Sequence, residues 1–135
     1  MTEPTTPAPA PQRILVVDDE VHIVNVVVMN LKRAGYGVIT ARDPQQALEL
    51  ARQERPDLII TDHNMPGGSG LDLCRMLRGT TGAADIPAIL LTAYDFSVVR
   101  EVLEDCNICA VIPKPFSPRE LITRVEGILQ AGARK

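Results

Sequence analysis

Aromatic side chains are nearly absent from this chain. They make up 3% of its 135 residues, and there is no tryptophan, so a core has to be assembled from Val, Ile, Leu and Ala. Basic residues are in deficit as well. Fourteen Lys and Arg against 17 Asp and Glu leave a formal net charge of −3, the wrong sign for a nucleic-acid backbone binder, which needs a basic face. No apolar run approaches the ~20 residues of a membrane span, and no signal peptide opens the chain. A cytosolic location is expected. Cysteine is also scarce: Cys74, Cys106 and Cys109 are an odd number without secretory context, which argues against a disulfide framework. Cys106-Asn107-Ile108-Cys109 spells C-x-x-C, but between a helix end and a strand, the wrong end of a helix dipole for a reactive thiolate. No second ligand pair lies near enough to suggest zinc. Ordinary half-buried cysteines are expected.

Hydrophobic residues, by contrast, reach the usual globular share at 45%, in a chain of single-domain length. Residues 1–12 hold prolines at positions 4, 7, 9 and 11, a composition that suits a disordered, partly extended tail. From Arg13 to about Gln130 short apolar runs alternate with longer amphipathic ones, and residues 131–135 form a short tail. The expected strands are 14–17, 36–41, 57–60, 88–92 and 110–112. The expected helices are Val21–Ala34, Pro44–Gln53, one containing Leu71–Leu77, one with Val99, Val102, Leu103 and Cys106 on a single face, and Pro118 to about Gln130. Strict alternation predicts an α/β fold, one doubly wound parallel sheet of five strands with five helices on its two faces. In such sheets ligands bind beyond the C-terminal strand ends.

Those ends are where the polar groups fall. Strand one runs into Asp18-Asp19, strand three into Asp62, strand four ends at Thr92, and Lys114 follows strand five. Neighbouring parallel strands lie about 4.8 Å apart, close enough for carboxylates on strands one and three to share an ion. Three carboxylates and one ammonium repel themselves without a cation, and an all-oxygen set points to Mg²⁺ or Mn²⁺. Asp62 then has two uses, as a metal ligand or as a nucleophile toward phosphorus. In the loop "TDHNMPGGSG", Gly67, Gly68 and Gly70 let the backbone past Asp62 stay close to the site.

In order and spacing, "VVDDE", "DLIITDHNMPGGSG", "ILLTAY" and "IPKPF" resemble the receiver domain of two-component response regulators. The resemblance spans Arg13 to about Gln130 and implies the flavodoxin-like strand order 2-1-3-4-5. It further implies Asp62 as phosphoacceptor, with Asp19 as direct metal ligand, Asp18 supporting the metal shell, and the backbone carbonyl of Asn64 as a further ligand. Thr92 and Lys114 would hold the phosphoryl oxygens. Asn64 and Tyr94 would line the path of the hydrolytic water, and Lys114-Pro115 would be a cis peptide. The donor would be a histidine kinase or histidine phosphotransfer protein, and the domain would signal by protein–protein contact or phosphorelay to a downstream effector, without nucleic-acid or membrane contact of its own. Only autocatalytic phosphorylation and dephosphorylation would be expected, not turnover of a substrate. Three residues before the lysine the family usually carries Tyr or Phe; here stands Val111, which has no ring to swing.

Other readings of the same residues exist. Asp62 can be a turn residue, Asp18-Asp19 can cap the first helix, and Thr61 can back-bond within the sheet. His63 reads as a loop residue turned away from Asp62, and His22 as a solvated first-turn residue. A haloacid-dehalogenase-type phosphatase also uses a strand-end Asp with Mg²⁺, but carries a second acid where this chain has Asn64. A phosphate-independent interaction module is a third class. Only "AGARK" comes after the last expected helix, so a stand-alone receiver is expected. The first helix is more apolar than one buried face requires. Ile23, Val26, Val27 and Leu31 suffice to pack on the sheet, leaving Val21, Val24 and Val28 as a second stripe: a wider buried arc or idle surface valines on one reading, a docking face for the phosphodonor on the other.

Overall fold

The computed structural model describes residues 12–65, 68–92 and 108–133. In chain order the elements are β1 (Arg13–Val17), α1 (Val21–Arg33), β2 (Gly37–Ala41), α2 (Pro44–Glu54), β3 (Leu58–Asp62), β4 (Asn64–Met65), β5 (Gly68–Ser69), α3 (Gly70–Arg78), β6 (Ala88–Thr92), β7 (Ile108–Pro113) and α4 (Pro118–Ala133). The five long strands make one parallel sheet in the order β2-β1-β3-β6-β7, the doubly wound order expected. Four helices lie within the described residues, and the expected helix over Val99–Cys106 falls outside them.

Strand geometry explains why the strands are apolar without alternation. Successive side chains point to opposite faces, and here both faces are covered. Leu15, Val17, Ile59 and Leu90 join Ala47 and Ala51 of α2 and Leu73, Cys74 and Leu77 of α3 in one core layer. Their strand neighbours Ile14, Val16, Ile60, Ile89 and Leu91 join Val27 and Leu31 of α1 and Leu121, Val125 and Leu129 of α4 in the other.

The helix ends obey local chemistry. Pro44 occupies the first turn of α2, and the Asp43 carboxylate accepts the Gln46 N–H at 2.8 Å. Helix α3 opens on a reciprocal pair, the Ser69 hydroxyl accepting from Asp72 N–H and the Asp72 carboxylate accepting from Ser69 N–H. Helix α4 continues to Ala133, three residues past the end expected from the last inward-facing leucine; alanine extends a helix at little cost.

Helix α1 departs from the expected face. Val26 is 40% exposed and Val21 58%, whereas Val24 and Val28 are half-buried. Val26 and Val27 are neighbours, about 100° apart on the helix, so one buried line cannot take both. The line through Ile23, Val27 and Leu31 is flanked by Val24 and Val28, and Val26 turns to solvent beside Met29. Strand β3 also runs two residues beyond the expected "DLII", making Asp62 the last strand residue. Beyond it the chain makes a tight return rather than an open loop. Asn64 pairs with Ser69 and Met65 with Gly68, and Gly70 N–H donates to the His63 carbonyl at 2.9 Å.

That return brings α3 hard against Asp62. A β-carbon at Gly70 would stand 2.5 Å from the Asp62 carbonyl oxygen and 2.7 Å from a Leu90 methyl, while one at exposed Gly127 of α4 meets nothing within 4 Å. Gly70→Ala should therefore lower stability by about 1–3 kcal/mol. Gly127→Ala should raise it by about 0.5–1 kcal/mol through helix propensity. Urea unfolding of both variants checks the pair; equal effects would contradict the packing described.

Candidate functional site: an acidic strand-end cluster around Lys114

The sheet register assembles the site. Val17 stands beside Thr61 in the β1–β3 pairing, so Asp18 and Asp62 are the next residues along. The Asp18 N–H donates to the Ala41 carbonyl at 3.1 Å, continuing the ladder toward β2. Across the sheet, Thr92 pairs with Pro113, and the Lys114 N–H donates to the Thr92 carbonyl at 2.8 Å. Lys114 thus leaves β7 at the same edge, and its long side chain reaches past β6 to β3. Its Nζ lies 2.9 Å from Asp62 Oδ1, 3.4 Å from Glu20 Oε1 and 3.8 Å from Asp18 Oδ2. The Lys114–Pro115 peptide is cis.

Asp18 and Asp62 are both buried, at 2% and 4% exposure. One Asp18 oxygen accepts the Glu20 N–H at 2.9 Å; the other, Oδ2, is buried with no hydrogen bond among the described residues. A buried carboxylate oxygen left that way calls for an explanation. Carboxylate oxygens of Asp18, Glu20 and Asp62 all lie within 4.8 Å of one another, and with Lys114 as the cation among the described residues they keep a formal excess of two negative charges. Hard oxygen donors of this kind fit a small divalent cation.

The electrostatics agree with the burial. Burial pushes the Asp18 carboxyl up from its ordinary 3.8 to about 6; the Glu20 N–H opposes this, the Asp62 charge adds to it, and Lys114 opposes it. For Lys114, burial lowers the ammonium's pKa. The hydrogen bond to Asp62 and the charges of Asp18, Asp62 and Glu20 outweigh that, so the net direction is up.

Of the residues singled out in the sequence, Asp18, Asp62 and Lys114 meet directly. Thr92 is fully buried as the last residue of β6, the strand beside Asp62. Asn64 opens β4 two residues past Asp62. Asp19 is exposed and does not belong to the acidic group; Glu20, which the sequence pattern did not single out, does. The third acid of "VVDDE" was its signal. Glu20 is the N-cap of α1 but makes no side-chain cap bond, and neither neighbouring aspartate caps the helix in its place. Tyr94 and Cys106 lie outside the described residues. Val111 is half-buried and packs against the core layer that holds Ala88 and Leu90 of β6. Thr61 is buried, its hydroxyl donating to the Asp62 carbonyl at 3.0 Å, and His63 is half-buried, its N–H donating to the Leu91 carbonyl at 2.8 Å. His22 is exposed. Cys74 is buried in α3, whereas Cys109 is exposed on β7.

A raised carboxyl pKa has a definite consequence for stability. The folded state holds the Asp18 proton more tightly than the unfolded chain. This stabilisation is fully present below about pH 3.8 and is lost as pH rises through about 6. At neutral pH the buried charge then costs on the order of 1–3 kcal/mol. Asp18→Asn removes the charge with little change of shape. In chelator at pH 7.5 it should unfold at higher denaturant than wild type, with the difference closing toward pH 4. A difference that does not change with pH would contradict this.

The chain matches the response regulator receiver domain family over residues 14–126. It is 41% identical over 119 residues to the alkaline phosphatase synthesis transcriptional regulatory protein PhoP of Bacillus subtilis, a match covering 88% of this chain and 49% of that protein. The chain thus spans about half the length of that relative. Among solved structures it resembles chemotaxis protein CheY4 of Vibrio cholerae, with a TM-score of 0.81 and 31% identity over 87% of this chain and 98% of that one. It also resembles the signal receiver domain of a signal transduction histidine kinase from Syntrophus aciditrophicus, with a TM-score of 0.82 and 31% identity over 92% and 94% of the two chains. Agreement of the sheet order, the family match and these neighbours over nearly the whole described fold establishes that the chain belongs to the response regulator receiver domains of two-component systems.

Proposed function

We propose that Asp62 accepts a phosphoryl group from a phosphohistidine donor, a histidine kinase or histidine phosphotransfer protein, in a Mg²⁺-dependent reaction. The observation that carries this reading is a buried strand-end carboxylate held by one ammonium beside two further acids. An Asp62 carboxylate oxygen attacks phosphorus. The new P–O bond forms as the P–N bond breaks, and the electron pair returns to the imidazole nitrogen, leaving an acyl phosphate on Asp62.

The residues present suit a divalent cation, since among the described residues the buried Asp18 Oδ2 has no hydrogen-bond partner. Asp62, Asp19 and the Asn64 backbone carbonyl would hold it, with Asp18 in support and the Asp19 carboxylate turned inward from its exposed position. The ion, when bound, supplies positive charge for the phosphoryl oxygens. Lys114, now on Asp62 Oδ1, would pair with a phosphoryl oxygen once the acyl phosphate forms, and the buried Thr92 hydroxyl would take another. Asn64 and Tyr94 would tune hydrolysis of the product. Mn²⁺ is the alternative ion. Output would pass by contact with a downstream protein or by onward transfer of the phosphoryl group.

Asp62→Asn keeps the size of the side chain and removes the nucleophile. It should fold normally and take no acyl label from acetyl phosphate in Mg²⁺, as read by mass spectrometry; a stable label on the variant would sink the assignment.

For the donor, Val21 is the part of the proposed α1 docking stripe most open to solvent, 58% exposed and next to Glu20. Val24 and Val28 would contribute only their exposed edges. Val21→Lys should cut transfer from a phosphohistidine protein by about fivefold or more while leaving acetyl phosphate labelling unchanged. Equal loss with both donors would rule out a docking role.

A further inference from the structure

We propose that Glu20 is a displaceable counter-ion of Lys114 that sets how tightly the site takes an incoming anion. The inference rests on the reading of Asp62 as the anion-accepting residue. Glu20 stands at the N-cap of α1, a place where Ser, Thr, Asp or Asn would bond the first helical N–H groups. Its carboxylate makes no such bond. Instead Oε1 lies 3.4 Å from the Lys114 Nζ, a contact between residues 94 positions apart in the chain.

The three carboxylates around that ammonium are not equivalent. The side chains of Asp18 and Asp62 are 1% and 5% exposed, whereas that of Glu20 is 58% exposed. Releasing a buried carboxylate from its cation leaves an uncompensated charge in a dry place. An exposed carboxylate exchanges its cation for water at little cost. Of the three, Glu20 is therefore the one that can leave. An anion arriving on Asp62 needs the ammonium face that Glu20 covers, and it meets a like charge within 4.8 Å of the Asp62 carboxylate. Removing the Glu20 charge frees the ammonium and lifts that repulsion together. On a cation the effect runs the other way and is smaller: the Glu20 carboxylate lies within 4.8 Å of those of Asp18 and Asp62, but it is 58% exposed and water screens its charge.

The test uses Glu20→Gln in the full chain, with beryllofluoride as the tetrahedral phosphoryl mimic and Mg²⁺ alone as the control, both by isothermal titration calorimetry. Beryllofluoride at saturating Mg²⁺ should bind the variant about three- to tenfold more tightly at low salt, a gain that shrinks at ~0.5 M salt. Mg²⁺ alone should bind within about threefold of wild type. Unchanged or weaker beryllofluoride binding overturns the role of Glu20. So does a loss of Mg²⁺ affinity of about tenfold or more, which would make Glu20 a metal ligand. Wild-type protein that binds Mg²⁺ but no beryllofluoride overturns the acceptor reading itself, and the proposal falls with it.

Discussion

The contact between Lys114 and Asp62, 2.9 Å long, runs from the end of β7 past β6 to the end of β3. It joins residues 52 positions apart in the sequence, and it is made only if every strand between and around them is parallel and in register. The ladder sets this. Asp18 succeeds Val17 on β1, Asp62 closes β3, and the Lys114 N–H is bonded to the carbonyl of Thr92 on β6. Parallel strands deliver their C-terminal ends to one edge, so a fold that buries both sheet faces concentrates its polar groups there.

The same edge stores the domain's electrostatic tension. Two buried carboxylates share an ammonium with a third, exposed one, and a buried Asp18 oxygen has no hydrogen bond among the described residues. Packing around them is tight: the return through β4 and β5 presses the first residue of α3 onto the Asp62 carbonyl, so only glycine fits at position 70. Packing therefore keeps three like charges close together, and the Lys114 ammonium offsets only part of their repulsion.

Helix α1 connects the core to this edge, since it packs on the sheet through Val27 and Leu31 and opens at Glu20 beside the site. Its exposed valines, at Val21 and Val26, share the helix with that counter-ion. The proposed docking stripe and the acidic cluster therefore share one helix, whose first residue Val21 stands next to Lys114's exposed partner Glu20.

Much of this was legible in the chain itself. The alternation of short apolar runs with amphipathic segments determined the α/β class and nearly all of the strands, because a sheet covered on both faces admits no polar alternation and a helix shows its period plainly. Asp18, Asp62, Thr92 and Lys114 were legible as a group because each interrupts or succeeds an apolar strand at its C-terminal end. The face of α1 was not: valines crowd it on every side, and apolarity alone does not say that the buried arc centres toward Val24 and Val28 rather than Val26. The short return after Asp62 was hidden too, since two-residue strands carry no period. Which acid of "VVDDE" turns toward Lys114 could be decided only in three dimensions. Adjacent residues leaving a strand point in different directions, and the Glu20 N-cap geometry of α1, not the order of the letters, aims that carboxylate at the ammonium while Asp19 faces water.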